Sequence, residues 1–247
     1  MLVRLRLRLD NQGGAWWSAP ENLRELALAV AAAGDGAFAA QLRESQSEKP
    51  LTVALTRQGD ERQLLLTAFS TEATRALITG SAAVAQAGRL HWAGRTTEAL
   101  GYSTDSAADY EDIWNASQQS AASPCVLRFH SPTAFSQGGN LYLPLPVPSH
   151  LFGSWARRWN LFCPEHLRLS EEKLSPLTNR VAIDTVCDLR THTRRINQGN
   201  FIGFTGTVQL TCHSEEARAV FAALTTLSTF CGTGTKTMMG MGSTGRV

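Results

Sequence analysis

Cysteine is scarce and scattered in this chain: there are five, and no two stand closer than Cys212 and Cys231. No C-x-x-C spacing occurs, so neither a zinc site nor a disulfide framework is signalled, and an odd, dispersed set suits a reduced, intracellular protein. Long apolar runs are also missing. No stretch approaches the roughly 18–20 apolar residues of a membrane span. At the N-terminus Arg4, Arg6 and Arg8 interrupt the leucines where a signal peptide needs unbroken apolar sequence. The expectation is a soluble, cytoplasmic protein with no membrane partner. An excess of one charge is lacking too. The net charge of +2 does not announce a nucleic-acid binder, so any basic surface must come from clustering. A 43% hydrophobic and 18% charged composition excludes disorder, collagen and coiled coil and suits a globular fold with a sizeable core.

The patterning is that of alternating strands and helices. Within residues 2–9 arginine and leucine alternate strictly from Arg4 to Leu9, the period of a strand with one buried and one cationic face. Ser18-Ala19-Pro20-Glu21 reads as a helix start, and the Leu/Ala-rich stretch 22–43 is broken at Gly34-Asp35-Gly36. Residues 51–57 and 63–69 read as strands joined by a hairpin turn at 58–62, residues 71–87 as a helix ending at Gly88, and Arg89 as the start of another strand. That order is β-α-β-β-α-β, the ferredoxin-like arrangement. Residues 101–123, rich in Ser, Ala and acidic groups, read as a linker with one short helix at 109–116. Beyond it come a strand at 125–129, a Pro-rich stretch at 143–148, an aromatic helix at 150–162 and strands at 180–190 and 201–212. A helix at 214–228 follows, with Ser214 as its cap. The predicted architecture is α+β: two tandem ferredoxin-like βαββαβ domains, residues 1–100 and 124–247, joined by the linker 101–123.

The sharpest local feature is the terminal run from Phe230 to Gly242, F-C-G-T-G-T-K-T-M-M-G-M-G. Glycines let backbone N–H groups approach a phosphate, and Lys236 adds charge. It is not a Walker loop, because Thr235 stands where glycine must precede the lysine. Nor is it a dinucleotide fingerprint, since Thr237 replaces the third glycine and no room remains for the helix that both motifs require.

The loop instead resembles the G-x-G-x-K-[ST]-x-x-G-x-G signature of the CRISPR-associated precursor-crRNA processing endoribonucleases of the RAMP superfamily, with Gly232, Gly234, Lys236, Thr237, Gly240 and Gly242 matching in order. Phe129-His130-Ser131-Pro132-Thr133-Ala134-Phe135 is similar to the family's F-x-S-P-T-x-F turn. Trp155-Ala156-Arg157-Arg158-Trp159-Asn160 resembles the helix after its proline-rich stretch, and Gly203-Phe204-Thr205-Gly206 the strand before its last helix. The first half matches more loosely, through residues 42–52.

The resemblance implies metal-independent cleavage of CRISPR repeat RNA, with no cofactor. The ribose 2′-OH attacks the adjacent phosphate and leaves a 2′,3′-cyclic phosphate, and the enzyme stays on the crRNA 3′ end beside other subunits of an effector complex. Such chemistry needs a group for the 2′-OH proton, a donor to the leaving oxygen and cations for the phosphorane. The family's histidine has no counterpart here: Leu42-Arg43 stands in its place, and the first histidine is His91. Arg43 remains protonated and cannot be a general base, but it can hold the scissile phosphate. Lys49 can do likewise, and Ser45 and Ser47 can position the 2′-OH. The expected catalytic set is Arg43, Lys49 and Ser47.

For RNA binding the expected residues are the loop positions named above with Arg157, Arg158, Arg190, His192, Arg194 and Arg195, the last four being the densest basic cluster. Trp155 and Trp159 read as core, and His130, His150, His166 and His213 as structural or surface residues. Arg4, Arg6 and Arg8 would line an RNA cleft. They argue against an ordinary RNA-recognition module, whose strands present aromatic platforms. Two rivals follow from the same residues: a non-catalytic subunit capping a guide RNA matured elsewhere, and a nucleotide enzyme using the terminal loop for phosphate.

Overall fold

The computed structural model describes residues 1–10, 19–45, 47–58, 61–119, 123–197 and 199–247. The expected cap Ser18 and residues 59–60 of the hairpin turn at 58–62 lie outside the described residues. The chain divides into two compact units, one of Met1–Ala108 with Met238–Gly240, the other of Asp109–Thr237 with Met241–Val247.

The first unit is built on β1 (Leu2–Leu9). Its Val3, Leu5, Leu7 and Leu9 are buried in the core, while Arg4, Arg6 and Arg8 alternate to the other face, as a two-residue side-chain period requires. Helices α1 (Pro20–Gly34) and α2 (Gly36–Glu44) are separated at Asp35, whose carboxylate accepts from the Phe38 N–H and caps α2. Strands β2 (Leu51–Gln58) and β3 (Glu61–Ala68) pair antiparallel, and α3 (Thr71–Ala87) closes on Gly88 at φ 67°. The strand beginning at Arg89 is a short edge piece, β4 (Arg89–Trp92), that hairpins into the long β5 (Arg95–Ala108). It is β5 that lies beside β1, giving the order β2-β3-β1-β5-β4. A core of Leu23, Leu26, Leu64, Leu66 and Leu77 fills the space between sheet and helices, with Met238 among them.

The stretch expected as a linker is mostly ordered structure. Residues 101–108 complete β5, with Tyr102 opposite Leu7 and Thr104 opposite Leu5, and α4 (Tyr110–Gln118) follows at once. Tyr110 is buried with its ring edge-on to Trp159 at 5.1 Å.

In the second unit β6 (Cys125–Thr133) leads through a small β7–β8 ribbon (Phe135–Ser136, Tyr142–Leu143) to α5 (Pro148–Phe162) and α6 (Glu171–Asn179). The hairpin of β9 (Val181–Ile196) and β10 (Gly199–Cys212), helix α7 (Arg218–Cys231) and edge strand β11 (Thr244–Arg246) complete it. Its sheet order, β11-β6-β10-β9, has the same connectivity as β5-β1-β3-β2 in the first unit. Both are ferredoxin-like. Ser214 accepts from the Ala217 N–H at 3.3 Å, one turn before α7 starts, so it closes a turn rather than capping the helix. The residues after the glycine loop are no loose tail: β11 pairs with β6 from Thr244 opposite Phe129 to Arg246 opposite Leu127.

Candidate nucleic-acid interface

Two sets of expected residues are gathered by local structure, one in each unit. In the first, Arg43 lies in the last turn of α2 and Ser45 is its C-cap. Carbonyls at a helix C-terminus lack helical partners and carry partial negative charge, so cations collect there. Lys49 donates its Nζ to the Leu42 carbonyl at 2.6 Å and to the Ser45 carbonyl. Burial, helped by the nearby Arg24, holds the Lys49 ammonium below the ordinary lysine range. The Ser45 and Ser47 hydroxyls are 2.6 Å apart. Arg43 stays exposed but makes two contacts to Glu25, at 2.8 and 3.1 Å. Arg24 on α1 donates to the Arg43 carbonyl at 3.4 Å.

Arg43, Lys49 and Ser47 are thus brought to one helix end, with Arg24 and Glu25 beside them. Sequence reasoning missed these last two, because only the packing of α1 on α2 places them there.

The second set centres on the glycine loop. Gly232, Gly234, Gly240 and Gly242 all have positive φ, 66°, 75°, 81° and 69°, where a side chain is strained. A Cβ on Gly242 would come 2.0 Å from the Thr233 carbonyl oxygen, and one on Gly234 2.2 Å from that of Ala134. The loop is therefore a tightly folded ribbon whose backbone is committed to the protein. Thr233 N–H donates to Gly242, Thr235 N–H to Ala134 and Gly242 N–H to Pro132, while the Gly234 N–H meets the Ser154 hydroxyl at 3.1 Å. The 131–135 turn that resembles the family motif is thereby the seat of the loop. Lys236 sits at φ 62°, half-buried, and Thr237 is buried.

Arg158 corrects an expectation. It is only 1% exposed, and its guanidinium donates to the carbonyls of Cys231, Gly232 and Gly234 at 3.1, 3.0 and 2.6 Å. It caps the C-terminus of α7 and clamps the loop, so it is not a surface contact for RNA. Its neighbour Arg157, about 100° round the helix, is exposed. Trp155 and Trp159 are core, as expected, each with its indole N–H donated, to Thr233 Oγ1 and to the Leu167 carbonyl.

Arg190, His192, Arg194 and Arg195 are all exposed on β9. Strand alternation puts the first three on one face and Arg195 on the other, and His192 Nε2 lies 2.8 Å from Thr205 Oγ1. The β1 arginines are engaged on their own sheet: Arg6 pairs with Asp105 at 2.8 Å and with Gln63, and Arg8 donates to the Leu100 carbonyl.

Residues 127–244 match the family described as CRISPR-associated endoribonuclease Cas6. No curated protein sequence matches the chain. Among solved structures, a Cas6 product complex aligns over 100% of both chains at 22% identity with a TM-score of 0.84, and a Cas6 of Thermus thermophilus over 100% of this chain and 98% of its own at 23% identity and 0.74. A second Cas6 product complex aligns over 100% and 99% at 22% identity and 0.80. A RAMP protein described as binding different RNA substrates aligns over 99% of each chain at 13% identity and 0.61. These likenesses bear on the fold, which is the tandem ferredoxin-like arrangement expected from the sequence.

Proposed function

The second half of this chain carries the Cas6 family's sequence pattern over residues 127–244, and from that premise we propose that the protein is a CRISPR repeat RNA-processing endoribonuclease. The observation that carries the proposal is that match, which spans the seat of the glycine loop, helix α5 and the loop itself. The reaction is metal-independent. The 2′-OH upstream of the cut attacks the scissile phosphate, the 5′-oxygen of the downstream product leaves with a proton, and a 2′,3′-cyclic phosphate remains.

Arg43 exchanges Glu25 for the scissile phosphate. The exchange is inexpensive, because an exposed ion pair contributes only about 0–1 kcal/mol. Lys49, already fixed by two carbonyls, adds positive charge where the phosphorane develops. Ser47 orients the 2′-OH. The outward cations of β9 bind backbone phosphates, and the protein remains on the 3′ end of its product as part of an effector complex.

A second reading, a non-catalytic crRNA-capping subunit, is favoured by one observation: Arg43 stands where the family has histidine, and no histidine precedes His91. The test is incubation of 5′-labelled repeat RNA with the protein in EDTA. One discrete cut supports the endoribonuclease. Tight binding with the RNA left intact at every pH supports the capping subunit.

A further inference from the structure

A cavity of about 390 Å³ opens in the second unit between α5, the β7 end and the glycine loop. On α5 its wall is formed by His150, Gly153, Ser154 and Arg157. These positions are spaced i, i+3, i+4 and i+7, one face of a helix. Across from them stand Phe135 and Thr235. The His150 ring is held beside the Phe135 ring, centroids 5.4 Å apart, and is steadied by Gln137 at 3.2 Å and Ser149 at 3.4 Å. Phe135 is 6% exposed, so the pair makes a fixed aromatic wall. Arg157 supplies an exposed cation at the far end of the same stripe.

Gly153 is the unusual member. It lies in the middle of α5, where glycine is about 1 kcal/mol less favourable than alanine. Packing does not require it: an added Cβ would meet nothing within 4 Å. By contrast Gly234 and Gly242 have no room for one. The missing side chain at Gly153 leaves bare helix backbone as part of the cavity wall, which suits a flat ligand lying against it.

We propose that this cavity binds one unpaired nucleotide of an RNA strand, its base over Gly153 against the His150 and Phe135 rings and its phosphate at Arg157. The size suits a single nucleotide, at the small end of the roughly 300–1,000 Å³ range of ligand pockets. An aromatic wall with a cation beside it is how proteins hold unstacked bases. That the nucleotide belongs to repeat RNA rests on the function proposed above; the pocket itself does not.

The test is ligand-observed NMR with the four ribonucleoside 5′-monophosphates, using the full chain and the variants Gly153→Leu and Gly153→Ala, with thermal melts as a folding check. The wild type is expected to transfer saturation to at least one nucleotide. Gly153→Leu, whose Cβ meets nothing within 4 Å and whose side chain enters the cavity, is expected to bind about tenfold more weakly or worse, the loss of a stacked base, while melting no lower than the wild type. Gly153→Ala should fall between them. Absence of transfer from wild type, or equal transfer from Gly153→Leu, overturns the pocket. Repeat cleavage is read separately. Nucleotide binding in a protein that cuts no repeat sustains the pocket and sinks the repeat-processing reading, and cleavage without nucleotide binding does the reverse.

Discussion

Arg157 and Arg158 are adjacent arginines with opposite fates, and the helix decides between them. Arg158 faces inward to three carbonyls, while Arg157 faces solvent. Replacing Arg158 with methionine keeps much of the volume but strands those carbonyls, and is expected to cost about 3 kcal/mol or more. Arg157→Ala should stay within about 0.5 kcal/mol of wild type. Urea denaturation of both variants measures the difference. In the first unit, Arg43→Ala is expected to lower the single-turnover cleavage rate by about 10²-fold, the usual cost of one transition-state donor, with little change in melting temperature. Lys49 carries a pH signature. Its charged form is disfavoured by burial first and by Arg24 second, so it loses its proton below the ordinary lysine range. If the charged form holds the phosphate, activity falls on the alkaline side at a lower pH than an ordinary lysine would give. Arg24→Ala removes the repulsion and should move that fall to higher pH in the pH–rate profile. For stability the trend with pH is the opposite: the native state binds fewer protons than the unfolded chain across the window between the two pKa values, so stability from this group rises with pH there.

Glycines define the terminal loop as an element. Gly242→Ala sets a methyl 2.0 Å from the Thr233 carbonyl oxygen at a φ of 69°, so clash and backbone strain act together. The loss is expected to exceed about 2 kcal/mol, measured as a lower urea midpoint, and β11, which continues from the loop, should lose hydrogen-exchange protection with it. The motif was legible in the sequence because glycine spacing is a backbone demand visible residue by residue. What the sequence did not reveal was that these N–H groups are spent on Ala134, Pro132 and Ser154 rather than offered freely. The 101–123 stretch was misread for a related reason. Gly101, Ser103, Thr104 and Ser106 lack strand-like hydrophobicity and stay at least partly exposed, but their backbone pairing is supplied by β1, a partner from the other end of the unit. Local pattern cannot report a long-range pairing. Where the pattern is self-contained, as in β1 or at the Gly34-Asp35-Gly36 break, reading and structure agree.

At the scale of the whole molecule, two units with the same strand connectivity each carry chemistry of their own. The helix-end cations of α2 belong to the first, and the glycine loop apart from Met238–Gly240, the β9 arginines and the α5 cavity to the second. The architecture was legible because β-α-β-β-α-β order survives errors in individual boundaries. The site was legible only in part, since Arg24, Glu25 and Gly153 acquire meaning through packing, and Arg158 loses its expected role the same way. The measurement closest to the central claim is cleavage of repeat RNA in EDTA with a single deoxyribose just upstream of the cut, alongside the all-ribose strand and analysis of the product ends. The expected result is one cut in the ribose strand, a 2′,3′-cyclic phosphate on its upstream product, and none in the deoxy strand. Cutting that survives the deoxy substitution, or that requires a divalent metal, would contradict the account.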